Sequence, residues 1–597
     1  MKDLGVPAAA AEAANLADTG EFDCRVLNSG NFPSLSREEG ELIPTGEVLG
    51  RALRVLGVER AYGVMGGGCA RLISGIEGGG VQLIHMRHES SAAFSACEEY
   101  LARGTPAAIW TTTGPGFVNA LNGVTAIGWE GAKALFLSGA TGHDVRPGFG
   151  FQDTREHNLA ALRHLAAPHA KLALSYPQTP SDVYELLDEW RSALTRPGAF
   201  IGAALVPLQL QQLSMKAWVP RPIDDAVSEI GFRSDAYERL ARELESGTVL
   251  IWTGFGARGA SAELRELVSR LDARVISSPR SKGTFPEDDP AYLGVTGHGG
   301  HERVLRYMQE TGVDTMLILG TRLHELTSFR DRRFSPRRTV IHVDCDRSAL
   351  TDDFLDLPCV AVREDVASFL ARVIEFLPPR MKARVTTRID SFVEQYPRGT
   401  GVGIHPCDLM AVIQREAVDG RDMPIMTDVG TGWAWGPHCL QFNSPRYRTS
   451  TTWGSMCHFA AGVVGTALAT GKPALCITGD GSMLMQSEVS TAVSYRVPAK
   501  WVVINNAGYG TIRHGLAAIS LPPMQVDFPM TRFDLWAESQ GALGLRATTP
   551  SELATALRTA FAHPGPVVID AVLDPSVAPP IAKRNASLMP LGASWRT

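Results

Sequence analysis

From Thr45 onward the chain alternates short apolar, β-rich runs with stretches whose apolar residues recur at helical spacing. In TGEVLGRALRVLGV the residues Val48, Leu49, Leu53 and Leu56 share one face, which predicts a capped amphipathic helix beginning at Thr45. AAIW (107–110), ALFLS (134–138) and AFIGAALV (199–206) read as strands of a first unit. A Pro- and Gln-rich passage, 206–224, interrupts the rhythm and reads as a linker. A second unit follows, with strands at VLIWTG (249–254), RVISS (274–278), TMLILG (315–320) and TVIHVD (339–344). The pattern breaks again near Pro378 and Pro379. A third unit, from about residue 403, holds PIMTDVG (424–430), PALCITGDG (473–481), KWVVINN (500–506) and PVVIDAVLD (566–574). Such alternation predicts an α/β chain of three consecutive doubly wound parallel-sheet domains, whose ligands belong at the carboxyl ends of the strands.

The expected division is a flexible extension over 1–42, domains over 43–215, 225–378 and 400–575, and a tail over 576–597. Of the 597 residues 20% are charged, as in a soluble globular protein, and a net charge of −6 without a basic run argues against a nucleic-acid partner. The nine cysteines show no CxxC or CxxH spacing, so reduced, mostly buried thiols are expected rather than a zinc site. The first residues carry acids in place of a basic leader, and no apolar run is long enough for a membrane; a cytoplasmic protein without a membrane partner is expected.

Chemistry concentrates in ITGDGSMLMQSEVSTAVSYRVPAKWVVINNAGYG. One strand ends in Gly479-Asp480-Gly481-Ser482 and the next in Asn505-Asn506, which puts two polar clusters on adjacent strand ends. Glycines let the backbone approach an anion, Ser482 is expected to open a helix whose free amides face it, and Asp480 and Asn506 offer the hard oxygen donors that magnesium takes. A lone Gly-Asp-Gly is an ordinary tight turn; the downstream asparagines at a matching strand end set this one apart.

GDGS followed by NN resembles the metal–diphosphate motif of thiamine-diphosphate enzymes. The resemblance implies Asp480 and Asn506 as side-chain ligands of magnesium, Gly508 as a carbonyl ligand, and Gly479, Gly481 and Ser482 around the diphosphate. RHESSAAFSACEEYLA followed by TTTGPG resembles the same family's pyrimidine-binding domain. It implies Glu89 as the acid that bonds the cofactor's pyrimidine and Gly114-Pro115-Gly116 as a turn beside it, with Glu98 and Glu99 expected to face solvent. TTWGSMCHFAAG resembles the segment that supports the bent cofactor, which implies Met456 beneath it and Gly454 nearby. Gly430, Thr431 and Tyr509 complete the implied cofactor-binding set, and Trp433 and Tyr509 are candidates for the acceptor pocket. Since the glutamate and metal motifs lie on different domains, the resemblance implies a homodimer or a dimer of dimers with sites between subunits.

The central stretches TGFGARGAS, SPRSKGTFPEDDP, GHGGHE and GTRLHELTSF resemble the middle domain of acetohydroxyacid-synthase-like enzymes, some of which hold FAD. Gly254 and Gly256, in TGFGARGAS, are weak evidence for a dinucleotide, so a ligand-free scaffold is favoured over a flavin. His143 stands alone where aldehyde-releasing relatives carry adjacent histidines. Phe151-Gln152 resembles a stretch in which the glutamine faces the reacting centre, and His514 is a candidate proton donor. The expected function is a carboligase that decarboxylates a 2-oxo acid such as pyruvate and adds the acyl unit to a carbonyl or thioester acceptor. Its rivals are a non-oxidative decarboxylase, a flavin-dependent oxidase and a catalytically silent regulatory paralogue.

Overall fold

Each of the three units closes on its own six-stranded, all-parallel sheet in the computed structural model, which describes residues 41–142, 144–221, 234–350, 357–379, 396–397, 399–522 and 524–581. In the first sheet the strands lie in the order Gln82–His85, Arg60–Gly63, Ala107–Thr111, Lys133–Ala140, Phe200–Pro207, Lys171–Ser175. The last sheet, Tyr447–Arg448, Ile425–Thr427, Ala474–Gly479, Ala499–Asn505, Val567–Val572, Leu543–Ala547, repeats that topology strand for strand. The central sheet differs: Tyr292–Val295, Arg274–Ser277, Val249–Thr253, Thr315–Leu319, Thr339–Val343, Cys359–Val362 runs 3-2-1-4-5-6 within its domain. All three reverse strand order beside their first strand, which opens a crevice at the carboxyl edge. Among the described residues no helix is long and apolar enough to cross a membrane.

Both faces of each sheet are buried. Leu135 and Leu137 pack with Trp110 and Trp190 on one face of the first sheet, while Ala134 and Phe136 meet Ile109 and Phe117 on the other. That is why the central strands read as unbroken apolar runs. The strands that pattern reading did not pick out are short edge members or carry polar residues, as in Tyr447–Arg448, Gln82–His85 and Leu543–Ala547.

Several expectations change. The predicted helix spans Thr45–Val55, but Thr45 does not cap it; its Oγ1 donates to the Leu213 carbonyl at 3.0 Å. The passage read as a linker is structured as far as Lys216. It finishes the strand Phe200–Pro207, forms the helix Leu208–Gln211, and then the strand Ser214–Lys216, which pairs antiparallel with Leu42–Pro44. Its polarity misled because Gln211 is buried, its amide donating to the carbonyls of Val206 at 2.8 Å and Gly68 at 3.0 Å, while Leu210 and Met215 join the core. The N-terminal extension up to residue 40 and the tail from residue 582 lie outside the described residues. No disulfide joins the described cysteines; Cys69, Cys97, Cys457 and Cys476 are buried and the others half-buried.

Glu98 and Glu99 do not face solvent: each is 1% exposed. The helix that carries them, Glu89–Arg103, is covered by the helix His458–Thr470, and glycines permit the approach. A Cβ on Gly465 would sit 2.1 Å from the Ser95 carbonyl oxygen, and one on Gly462 2.8 Å from Glu98 Cγ. Glu99 accepts from Arg60 at 3.1 Å and from the Tyr62 hydroxyl. Glu98 takes both arms of Arg448, at 3.0 and 2.8 Å, and the His458 Nε2–H at 2.9 Å. Arg448 also reaches Glu130 at 3.5 Å; Glu130 pairs with Arg280 at 2.9 Å and accepts from Ser450 and Thr452. The guanidinium carbons of Arg258, Arg280 and Arg448 lie 4.6 to 5.0 Å from the Phe255 ring centre. Residues of all three domains meet at this one buried charged junction.

Burial alone would raise the Glu98 carboxyl, but Arg448 and His458 outweigh it and hold the group well below the usual carboxylate range. The resulting stability is fully present above the pKa of an unfolded glutamate and is lost as pH falls toward the folded value. Arg448→Met leaves two buried carboxylates short of their cation and is expected to cost about 3–5 kcal/mol, read as a denaturant midpoint at neutral pH. Adding Glu98→Gln should recover part of that loss; equal loss in the double variant would mean that the pair does not couple the domains.

Candidate active site

The carboxyl ends of three neighbouring strands build the C-terminal half of the site. After Ala474–Gly479 the chain enters the four-residue helix Asp480–Met483, so Ser482 lies inside a single turn rather than opening a long helix, and its hydroxyl donates to the Val429 carbonyl at 3.3 Å. Asp480 is 3% exposed. Its Oδ1 accepts the Gly481 N–H at 2.8 Å, and its Oδ2 accepts the N–H groups of Asn506 and Gly508, each at 3.1 Å. Burial pushes this carboxyl up to about 6 in spite of those N–H groups. A buried carboxylate of this kind is stabilised by a nearby cation.

Asn506 follows the strand Ala499–Asn505, and its Nδ2 donates to Thr431 Oγ1 at 3.4 Å. Ala507 between the two amide donors has φ 53°, a left-handed backbone uncommon outside glycine that marks a turn held by its surroundings. Gly430 (φ 140°) precedes the helix Thr431–Cys439. A Cβ added to Gly430, Gly454 or Gly479 would meet nothing within 4 Å, so open space adjoins these three glycines. Met456 lies just before the helix His458–Thr470, and its Cε would be 3.3 Å from a Cβ on Gly481.

A cavity of about 270 Å³ collects these groups. Of the C-terminal residues singled out from sequence, Gly430, Thr431, Trp433, Met456, Gly479, Asp480, Gly481, Ser482, Asn506, Gly508 and Tyr509 line it. Gly454 and His514 are not among the described lining residues, and the His514 Nε2–H donates to the Pro575 carbonyl at 3.1 Å.

A second cluster forms on the N-terminal domain. Glu89 opens its helix and is 8% exposed; Asn119 Nδ2 donates to its Oε2 at 3.1 Å, and a Cβ on Gly116 would lie 3.2 Å from its Oε1. Gly114 (φ 60°) donates its N–H to Thr154 Oγ1, and Pro115 starts the next helix. Gln152 packs on Gly114, where a Cβ would meet its Cβ at 2.9 Å, and its Oε1 accepts from Thr113 Oγ1 at 3.3 Å. Its φ of 53° is again left-handed. The fold therefore brings Glu89, Gly114, Gly116 and Gln152 together, but they are not among the described residues lining the Asp480 cavity. His143 lies outside the described residues.

Sequence reasoning missed three contributors. Glu488, fully buried, accepts the backbone N–H groups of Arg87 and His88 at 3.1 and 3.2 Å, so the C-terminal domain fixes the start of the Glu89 helix. His298 reaches the cavity from the central domain, between Gly297 (φ 69°) and Gly299 (φ 67°), and packs at a tilt of 35° against Trp433 with ring centres 3.9 Å apart. The GHGG run was its visible signal. Ile581 lines the cavity from beyond the last strand, where no local pattern marks it. In the central domain Gly254 and Gly256 serve packing: the Gly256 N–H donates to the Gly320 carbonyl at 2.9 Å, and a Cβ on Gly254 would sit 2.2 Å from that oxygen.

Two α/β domains of one topology, each with a cluster of the residues singled out from sequence, flank a third α/β domain. The chain belongs to the thiamine pyrophosphate enzyme family: family models match its N-terminal TPP binding domain over residues 43–160, its central domain over 238–373 and its C-terminal TPP binding domain over 428–571. Within that family it is acetohydroxyacid-synthase-like. It is 27% identical over 539 residues to a putative acetolactate synthase large subunit of Mycobacterium tuberculosis, covering 84% of this chain and 92% of that one. Acetolactate synthase isozyme 1 large subunit of Escherichia coli is 24% identical, over 74% of this chain and 80% of its own. In structure the chain is similar to a thiamine diphosphate-dependent 4-hydroxybenzoylformate decarboxylase of Rhodococcus jostii, with a TM-score of 0.75 at 19% identity over 89% of this chain and 99% of that one.

The residues fit thiamine diphosphate. Gly430 and Gly479, both in the cavity wall, border open space, the buried Asp480 carboxylate lies against the backbone of Asn506 and Gly508, and Met456 adjoins the Gly481 turn. Gly481→Ala puts a Cβ 2.7 Å from the Tyr509 ring and 3.3 Å from Met456 Cε. It is expected to weaken thiamine diphosphate binding by about tenfold or more, measured by titration calorimetry, because a small displacement at the anchor misplaces the whole group. Unchanged affinity would mean that the half-exposed Tyr509 swings aside.

Proposed function

We propose that the chain is a thiamine-diphosphate- and magnesium-dependent carboligase that decarboxylates a 2-oxo acid such as pyruvate and transfers the acyl unit to a carbonyl or thioester acceptor, giving a hydroxy-ketone. The observation that supports it most is the buried Asp480 carboxylate, ordered by three backbone N–H groups beside Asn506 and Gly508. When bound, thiamine diphosphate supplies a nucleophilic carbon and an electron sink. Asp480, Asn506 and the Gly508 carbonyl would hold magnesium there as a set of hard oxygen donors. Glu89, with Oε2 held by Asn119, keeps Oε1 to exchange a proton with the pyrimidine. Gln152, fixed against Gly114, orients the acceptor on the Glu89 side. His514, whose ring is committed to the Pro575 carbonyl, serves to position the segment after the last strand.

The two halves of the site are proposed to meet between subunits of a homodimer or a dimer of dimers. Exposed apolar side chains flank both: Val118, Phe149 and Phe151 near the Glu89 cluster, and Met485, Tyr509 and Ile512 near Asp480. A surface of that kind on a soluble chain favours burial against another copy.

Carbon dioxide release from a 2-oxo acid, assayed with and without an added acceptor, tests the reaction. Glu89→Ala is expected to lower it by about a hundredfold or more, since it removes a positioned proton-transfer group. Mixing unfolded Glu89→Ala and Asp480→Ala chains and refolding them together should restore about a quarter of wild-type activity, because half of the random dimers carry one intact site. No recovery would place both halves of each site in a single chain.

A further inference from the structure

Two half-buried cysteines meet in the last domain, outside the lining of the Asp480 cavity. Cys407 is the second residue of the helix Pro406–Ile413, and Cys439 is the last residue of the helix Thr431–Cys439. Both side chains pack against one core, which includes Leu409, Trp435 and Leu440. Their thiols are in hydrogen-bond contact. Two further bonds tie the segments that carry them. Gln414, just after the first helix, donates its amide to the Gln441 carbonyl at 3.1 Å and accepts the Gln441 N–H at 2.9 Å. The two sulfurs are thereby held side by side by their own backbones.

The surroundings make the pair reactive. His405 precedes the first helix, and its Nδ1 accepts the Cys407 N–H at 3.2 Å. The hydrogen bond from the Cys439 thiol, together with the His405 ring, outweighs burial and the Asp408 charge and brings the Cys407 thiol down to about 7. Elsewhere burial acts alone in the opposite sense. It raises the thiols of Cys69, Cys97, Cys457 and Cys476, and pushes that of Cys345 up to about 12. The thiolate is the reacting form of cysteine, so Cys407 is a nucleophile near neutral pH while those five stay protonated. Half-buried, it admits a small reagent and keeps Cys439 in contact.

We propose that Cys407 and Cys439 form a redox-active pair that a peroxide converts to a disulfide. The Cys407 thiolate attacks one oxygen of hydrogen peroxide; the O–O bond breaks, hydroxide leaves and is protonated to water, and Cys407 becomes a sulfenic acid. The Cys439 sulfur then attacks the Cys407 sulfur. The S–S bond forms, the S–O bond breaks, and the departing hydroxide takes the Cys439 proton as a second water. Two thiols lose two electrons, which reduce one peroxide, and a dithiol reverses the change by exchange. The new bond fixes the last residue of the helix whose first turn puts Thr431 and Trp433 in the cavity wall.

The test treats the reduced full-length protein with hydrogen peroxide at neutral pH, alkylates the remaining thiols and reads the digest by mass spectrometry. The expected product is a cross-linked peptide pair holding Cys407 and Cys439, which dithiothreitol removes. In Cys439→Ser the reaction should stop at a Cys407 sulfenic acid that dimedone captures. Cys407→Ser should leave Cys439 as a thiol that reacts roughly fivefold more slowly than Cys407 does, because a larger thiolate fraction outweighs the lower nucleophilicity of a more acidic thiol. Circular dichroism confirms that both variants fold. In the oxidised protein the amides of Thr431–Cys439 should exchange more slowly with solvent. A wild-type protein whose two cysteines both stay alkylatable, or whose Cys407 advances to sulfinic acid without the cross-link, would overturn the proposal. Equal amide exchange in the two forms would overturn the part that ties the disulfide to the cavity helix.

Discussion

The architecture depends on a knot of charge taken out of water. Glu98 and Glu130 come from the first domain, Arg280 and Phe255 from the second, and Arg448, His458 and Ser450 from the third. None of these groups tolerates burial alone, because an unpaired ion in the interior costs several kcal/mol. Bidentate geometry and hydroxyl donors satisfy most of their valences only when all three domains sit in one arrangement. Apolar packing would hold the domains together less selectively.

That arrangement is what positions the chemistry. Close contact between the Glu89–Arg103 and His458–Thr470 helices requires Gly462 and Gly465, and it places Glu488 against the backbone of Arg87 and His88. One contact thereby orients the first residue of the glutamate helix from the domain that carries Asp480. On the other flank His301 donates to the His438 carbonyl at 2.9 Å, and His438 donates to the Gly299 carbonyl at 3.2 Å, which clamps the central domain to the helix bearing Thr431 and Trp433. His298, between these anchors, reaches the cavity as a result. The central domain thus supplies cavity wall, while at its own strand-order reversal the backbones of Gly254, Gly256 and Gly320 pack closely.

Legibility in the sequence followed locality. Asp480 and Asn506 could be read because each ends a strongly apolar strand, and a strand-end residue in a parallel sheet has little choice of where to lie. Glu89 could be read from its place between a strand and a helix of small residues. Glu98 and Glu99 were misread because a carboxylate on a helix is ordinarily solvated, and nothing near them in the chain announces Arg448 or Arg60. Gln211 misled in the same way: an amide reads as surface unless the carbonyls that accept from it are known. Ile581 and Glu488 matter through contacts with residues distant in the chain.

The sequence by itself determined the three parallel sheets, the strand ends that carry Asp480, Asn506 and the Gly430 turn, and the helix that begins at Glu89. Apolar period, glycine placement and chain direction are local properties, and they are sufficient for those features. Only the tertiary structure decided which polar groups are buried together, that His298 and Ile581 belong to the Asp480 cavity, that His514 turns toward Pro575, and that the Glu89 cluster lies outside the lining of that cavity. Those facts depend on contacts between residues far apart in the chain. Their energies come from desolvation and partner geometry, which a one-dimensional pattern does not encode.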